Sequence, residues 1–234
     1  MVSTLTPPPG IKPFQVLIVE DVPIICQYYQ GMFVTLRHEG APFSVTVAPT
    51  FDKAVAAMDR ALATGSSFDL VLLDIRLRDT EKQKTEDGEA LGKQLRQKMP
   101  ETKILVVTAH DNNFRYHTIL RHIRPEGFML KYELNDTEFA KAITSLMANK
   151  NYYGASITKY MNAQMGLAGT LDDIDRKLLF LLSNCLTTKE ISKMLPLSPS
   201  GIEKRKRNLS AFFGLENAKT VSLIQAAKAH GYLD

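Results

Sequence analysis

Five polar residues of this chain stand at the ends of short apolar runs. Glu20 and Asp21 follow VLIV, Asp74 follows LVLL, Thr108 closes KILVVT, and Lys131 follows GFML. Carboxylates gathered in one place repel one another unless a hard divalent cation sits among them. Mg2+ accepts carboxylate and water oxygens and leaves positions for phosphate oxygens. A carboxylate is also a nucleophile for phosphoryl transfer, giving an aspartyl-phosphate. A lysine would neutralise one phosphoryl oxygen and a threonine hydroxyl would donate to another. The set therefore contains a nucleophile, a metal cage, a cation and a hydroxyl. Singly, each residue has an ordinary explanation. Asp74 can cap the loop after a strand, Glu20-Asp21 can open a helix at Pro23, Thr108 suits a strand by propensity, and Lys131 suits the surface. Their joint placement at successive strand ends favours phosphoryl chemistry.

Convergence requires a parallel sheet. The apolar runs are only a few residues long and apolar on both faces, as buried parallel strands are. Strands are expected over 15–20, 43–48, 70–74, 103–108 and 127–130, with amphipathic helices near 23–37, 50–64, 87–99, 112–122 and 135–147. Such alternation predicts a doubly wound α/β domain whose ligands bind beyond the carboxyl ends of its strands. The segment RLRDTEKQKTED, residues 76–87, reads as a long polar loop after the third strand. Loops of that length are uncommon in compact domains and are often functional.

The C-terminal part is helical. Thr170-Leu-Asp-Asp173 reads as a capping-box start, followed by an apolar stripe through Ile174, Leu178 and Leu181. Thr187 with Glu190 opens a second helix, and Ser198 with Pro199 opens a third. Two short helices around a tight turn predict a helix-turn-helix. In the third, Ile202, Leu209 and Phe213 share one face, whereas Ser200, Lys204, Arg207 and Ala211 share the opposite one. Small and basic residues on one exposed stripe suit a helix entering a major groove. KRKR by itself would equally suit a solvated charge run; the capped helices before it favour nucleic acid.

The 234 residues suit two domains, and 44% hydrophobic with 23% charged residues is a globular composition. Residues 171–234 hold ten Lys/Arg against seven Asp/Glu, and the preceding 170 hold nineteen against eighteen, so basic character is concentrated at the C-terminal end. No apolar stretch approaches the roughly 18 residues that cross a bilayer. MVSTLTPPPG lacks the pattern of a signal peptide, and its three prolines predict a flexible arm over residues 1–13. Two cysteines, Cys26 and Cys185, fit a reduced cytoplasmic protein without a membrane partner. His110, His117 and His122 lack metal-site spacing.

VEDVPI, VLLDIRL, VVTAHD and GFMLKYE resemble, in order, the four signature segments of bacterial response-regulator receiver domains, over about residues 14–147. The resemblance implies a flavodoxin-like, five-stranded parallel domain over 14–148. Asp74 would accept a phosphoryl group from a sensor histidine kinase. Glu20, Asp21, Asp74 and the Arg76 backbone carbonyl would hold Mg2+, Thr108 and Lys131 would bind phosphoryl oxygens, and Phe128 would be the switch aromatic. Tyr132 stands where many receivers have proline, the loop after Asp74 is enlarged, and Arg76 and His110 occupy variable positions flanking the pocket. Residues 171–215 are similar to the LuxR-type helix-turn-helix that accompanies NarL/FixJ-type receivers. That similarity implies a small all-α domain over 170–234, after a linker over 149–169 with room for one helix. Ser200, Glu203, Lys204, Lys206 and Arg207 are the expected DNA contacts; Glu203 replaces a frequent lysine and Lys206 a typical valine. Cys185 stands where glycine is common and is expected to fill a helix end.

Together these readings predict a non-enzymatic, phosphorylation-controlled transcription factor that binds double-stranded promoter DNA as a homodimer when active. The alternative is a phosphorylation-independent DNA-binding regulator whose receiver is a dimerisation scaffold. An aspartyl-nucleophile hydrolase fits less well, because the second acid such enzymes carry two residues on is replaced by Arg76.

Overall fold

The computed structural model describes residues 12–79, 84–109, 112–165, 171–215 and 219–233. The chain divides into two compact units, residues 1–110 with 119–157 and residues 111–118 with 158–234. Most of the predicted arm, His110, Thr170 and part of the predicted linker lie outside the described residues.

In the first unit, strands β1 (Phe14–Val19), β2 (Phe43–Ala48), β3 (Leu70–Leu73), β6 (Lys103–Thr108) and β7 (Gly127–Leu130) fall within a residue of expectation. So, to within two residues, do helices α1 (Pro23–Thr35), α2 (Phe51–Ala63), α3 (Gly88–Lys98) and α5 (Asp136–Met147), and α4 (Asn113–His122), whose residues are divided between the two units. All strand pairs of the main sheet are parallel, in the order β2-β1-β3-β6-β7, with Tyr152–Tyr153 (β8) beyond β7. Val16, Ile18, Leu72 and Val107 pack on Tyr29 and Phe33 of α1 and Phe139 of α5. The alternating residues Leu17, Val19, Leu73, Val106 and Phe128 are equally buried on the other face. Burial on both faces explains why these strands read as continuous apolar runs.

Two features correct the expected five-stranded sheet. Tyr152–Tyr153 forms a sixth strand, β8, alongside β7, through Gly127↔Tyr152 and Phe128↔Tyr153. The main sheet thus reaches beyond residue 148, into the segment read as linker, and α6 (Ala155–Met165) follows at once. Tyr152 N–H donates to the Glu126 carbonyl and Gly154 N–H to that of Phe128, both at 2.9 Å. The polar loop after β3 is also not irregular: β4 (Arg76–Asp79) and β5 (Lys84–Asp87) pair antiparallel in a separate two-stranded sheet.

The second unit contains α7 (Asp173–Ser183), α8 (Thr188–Met194), α9 (Pro199–Phe212) and α10 (Thr220–Ala229) around Leu178, Leu182, Ile191, Ile202, Leu209 and Leu223. The α7 start differs from expectation. Asp172 is the N-cap and accepts from Asp175 N–H at 2.6 Å, two residues after Thr170. A carboxylate at that position satisfies an orphan N–H and complements the helix dipole, so the later acid takes the role. The other two caps are as expected. Thr187 and Glu190 form a reciprocal capping box, and Ser198 accepts from Gly201 N–H with Pro199 inside the first turn. Cys185 has φ 59°, the left-handed conformation that ends helices and favours glycine. Among the described residues, no helix is long and apolar enough to cross a membrane.

Candidate functional site

The strand order reverses at β1, so a crevice opens beyond the carboxyl ends of β1 and β3. Register decides what meets there. Val19 pairs with Leu73, placing Glu20 and Asp74 one residue past paired positions, and Asp74 N–H donates to the Val19 carbonyl at 2.9 Å. Thr108 pairs with Leu130, so Lys131 leaves β7 beside the end of β6. Ligand atoms of Glu20, Asp21 and Asp74 lie within 4.8 Å of one another. Glu20 and Asp74 are buried (1% and 6% exposed) and Thr108 is fully buried.

Lys131 ties the cluster together. Its Nζ lies 2.6 Å from Asp74 Oδ2 and 2.7 Å from Glu20 Oε2. The other Asp74 oxygen, Oδ1, accepts from Arg76 N–H at 3.1 Å, and Glu20 Oε1 accepts from Val22 N–H at 3.2 Å. Burial pushes the Glu20 carboxyl above its ordinary range, Lys131 opposes that shift, and Asp74 adds to it. For Lys131, burial works to lower the ammonium pKa, but the charges and hydrogen bonds of Asp74 and Glu20 outweigh it, and the net direction is upward. Three carboxylates against one ammonium leave negative charge partly buried, a donor set suited to a hard divalent cation such as Mg2+.

Gly88, first residue of α3, is where the β4–β5 hairpin returns to the site. A Cβ there would run into the Asp74 carbonyl and lie 2.7 Å from Ile75 Cα. Only a glycine lets the backbone close so tightly behind the acid. Arg76 itself is exposed at the base of the hairpin. Phe128 is fully buried within β7. Tyr132 is 65% exposed, and its hydroxyl lies 2.9 Å from Ser156 Oγ. Glu133 accepts from Ser156 N–H at 2.8 Å, so the turn (Lys131–Glu133) that carries the lysine also grips the start of α6.

Ser200, Glu203, Lys204, Arg207 and Ala211 are all exposed on α9, as its periodicity requires. The structure separates the basic run into different roles. Arg205 reaches α7, with Nη1 2.8 Å from Asp172 Oδ2 and 2.6 Å from Asp175 Oδ1. Lys206 pairs with Glu203 at 3.2 Å, and its side chain is only 20% exposed, which fits the apolar side of the helix. Lys204 and Arg207 remain as exposed cations. Arg205 as an interhelical clamp is missing from the sequence reading, since its partners lie 33 and 30 residues upstream. The acids around the α7 cap were the available signal.

Residues 16–144 match the model of the response regulator receiver domain. The chain belongs to the response-regulator family. Over nearly its whole length it is also similar to the Fimbriae Z protein of Salmonella typhimurium, at 25% identity over 229 residues, covering 95% of this chain and 100% of that one. A structure of two RcsB dimers bound to two parallel DNAs superposes with TM-score 0.58 and 20% identity, covering 93% of this chain and 99% of that one. RcsB from Salmonella enterica serovar Typhimurium, bound to promoter P1flhDC in the presence of phosphomimetic BeF3-, gives TM-score 0.58 and 21% identity over 92% and 98%. The chain thus shares the fold of these RcsB structures over both of its units.

Proposed function

We propose that this chain is a DNA-binding transcriptional regulator controlled by phosphorylation, the output arm of a two-component system. The observation that carries the reading is Lys131 bridging Asp74 and Glu20 inside a three-carboxylate cluster at the sheet's switch point. An oxygen of Asp74 attacks the phosphorus of a phosphohistidine on a sensor kinase. The O–P bond forms as the N–P bond breaks, and the electron pair returns to the imidazole nitrogen. Glu20, Asp21, Asp74 and the Arg76 carbonyl would hold Mg2+, which supplies charge neutralisation for the incoming phosphoryl oxygens. Lys131 shifts its contact from the carboxylate to a phosphoryl oxygen. The Thr108 hydroxyl donates to another, and Phe128 beside Thr108's neighbours on β6 couples that change to the surrounding surface.

The output domain, over 170–234, presents α9 to a major groove, with Ser200, Glu203, Lys204 and Arg207 reaching bases and phosphates and Lys206 at the edge. The DNA-bound RcsB structures of the same fold support this reading, and the RcsB dimers of the first support a homodimer on two half-sites about one helical turn apart. The phosphate shifts the equilibrium only by its differential interaction with the two receiver states.

Intact mass after incubation with acetyl phosphate and Mg2+ tests the phosphoacceptor. One added phosphoryl group is expected, absent in Asp74→Asn and absent without Mg2+. A wild-type protein that binds promoter DNA equally with and without beryllofluoride would instead support the scaffold alternative.

A further inference from the structure

Glu203 is an unexpected residue on a helix meant for a polyanion. It lies in the N-terminal half of α9, on the exposed arc between Arg207 and Lys206, with its side chain 48% exposed. Its carboxylate is not loose. Oε1 accepts from Thr188 Oγ1 at 2.8 Å and from Lys206 Nζ at 3.2 Å. Oε2 accepts from no described residue. Thr188 is the first residue of α8, so the helix preceding the turn fixes where the carboxylate sits.

We infer that Glu203 is a specificity-determining residue that selects cytosine in the bound duplex, with Thr188 and Lys206 as its positioning groups. The inference rests on the DNA-binding reading above. A carboxylate only accepts hydrogen bonds, so its partner on a base edge must be a donor. The major groove offers two, cytosine N4 and adenine N6. Adenine N6 lies beside N7, an acceptor that repels a carboxylate oxygen, whereas cytosine N4 has no acceptor of its own base at its side in the groove. Guanine O6 and N7 and thymine O4 are acceptors and are rejected. Lys206 offsets the repulsion between Glu203 and the phosphates, and the Thr188 bond restricts rotamers before DNA arrives, lowering the ordering cost of the contact.

The test uses the full chain with Mg2+ and beryllofluoride, selecting from a randomised duplex library. Wild type is expected to enrich cytosine at one position of each half-site. In Glu203→Gln that position alone should move to adenine, because an amide can donate to N7 while accepting from N6. Affinity of the variant for the wild-type sequence should drop on the order of ten-fold. Thr188→Val should weaken the cytosine preference while leaving other positions unchanged. An unaltered preference in Glu203→Gln, a uniform gain on all sequences (phosphate repulsion alone) or a uniform loss (packing alone) would each overturn the assignment. An unaltered preference in Thr188→Val would remove its positioning role. If wild type enriches no sequence at all, the DNA-binding reading fails, and this one with it.

Discussion

The pocket at the end of β3 and the exposed face of α9 both depend on charged side chains, yet they hold them in opposite ways. In the pocket, Glu20 and Asp74 are buried, and each makes a backbone hydrogen bond in addition to its contact with Lys131. On α9, Lys204 and Arg207 stand in solvent on a helix fixed by caps and by Arg205 beneath it. Buried charges are expensive and stay only where geometry compensates them, whereas exposed ones cost little and can vary. The first cluster is therefore held in one arrangement, whereas the charges of the second can vary with little effect on the fold.

The strongest way to break that contrast is to remove the buried cation. Lys131→Met should destabilise the receiver by about 3–5 kcal/mol in EDTA, since it leaves carboxylates unpaired. Chemical denaturation should show much of this loss recovered by Mg2+. Ser198→Ala in the second unit should cost about 1 kcal/mol through the lost cap, with no dependence on Mg2+. Arg205→Ala is expected to cost about 1 kcal/mol or less, because its ion pairs are partly exposed. Lys204→Ala and Arg207→Ala should leave stability unchanged and instead each reduce the salt slope of DNA binding by about one unit, read by titrating affinity against salt.

The pH response should differ in sign. Glu20 is raised mainly by burial, so the folded state keeps its proton above the unfolded pKa. Its contribution to the stability of the metal-free protein is thus present below the ordinary carboxylate range and is lost as pH rises through the raised value. Glu190 is lowered, chiefly by the Thr187 hydroxyl and backbone N–H. Its contribution is present above the unfolded pKa and lost as pH falls through the lowered one. NMR titration of the two carboxyls should give midpoints on opposite sides of the ordinary glutamate value, and Thr187→Ala should move only that of Glu190.

The same contrast explains what could be read in the sequence. A buried parallel strand must be apolar on both faces, so LVLL and GFML announced where Asp74 and Lys131 would sit, and the caps Thr187 and Ser198 were visible as local chemistry. β8 was not, because two tyrosines are too short to show a period. The β4–β5 hairpin was hidden by a polar composition without alternation. The division of KRKR depended on Asp172 and Asp175, far upstream, and no local pattern reports such a contact.

The added strand β8 has a consequence for how the protein is made. Every other strand of the receiver sheet precedes α5, but the edge of β7 is covered only when Tyr152 and Tyr153 leave the ribosome. At about 5–20 residues per second, β7 waits roughly one to five seconds with its edge bare. An uncovered parallel edge is a template for pairing with another chain. Released chains truncated just before Tyr152 should therefore be more prone to self-association than chains that extend through α6. The tyrosine pair would thus act as a late stitch, closing the receiver sheet before the helices of the second unit emerge.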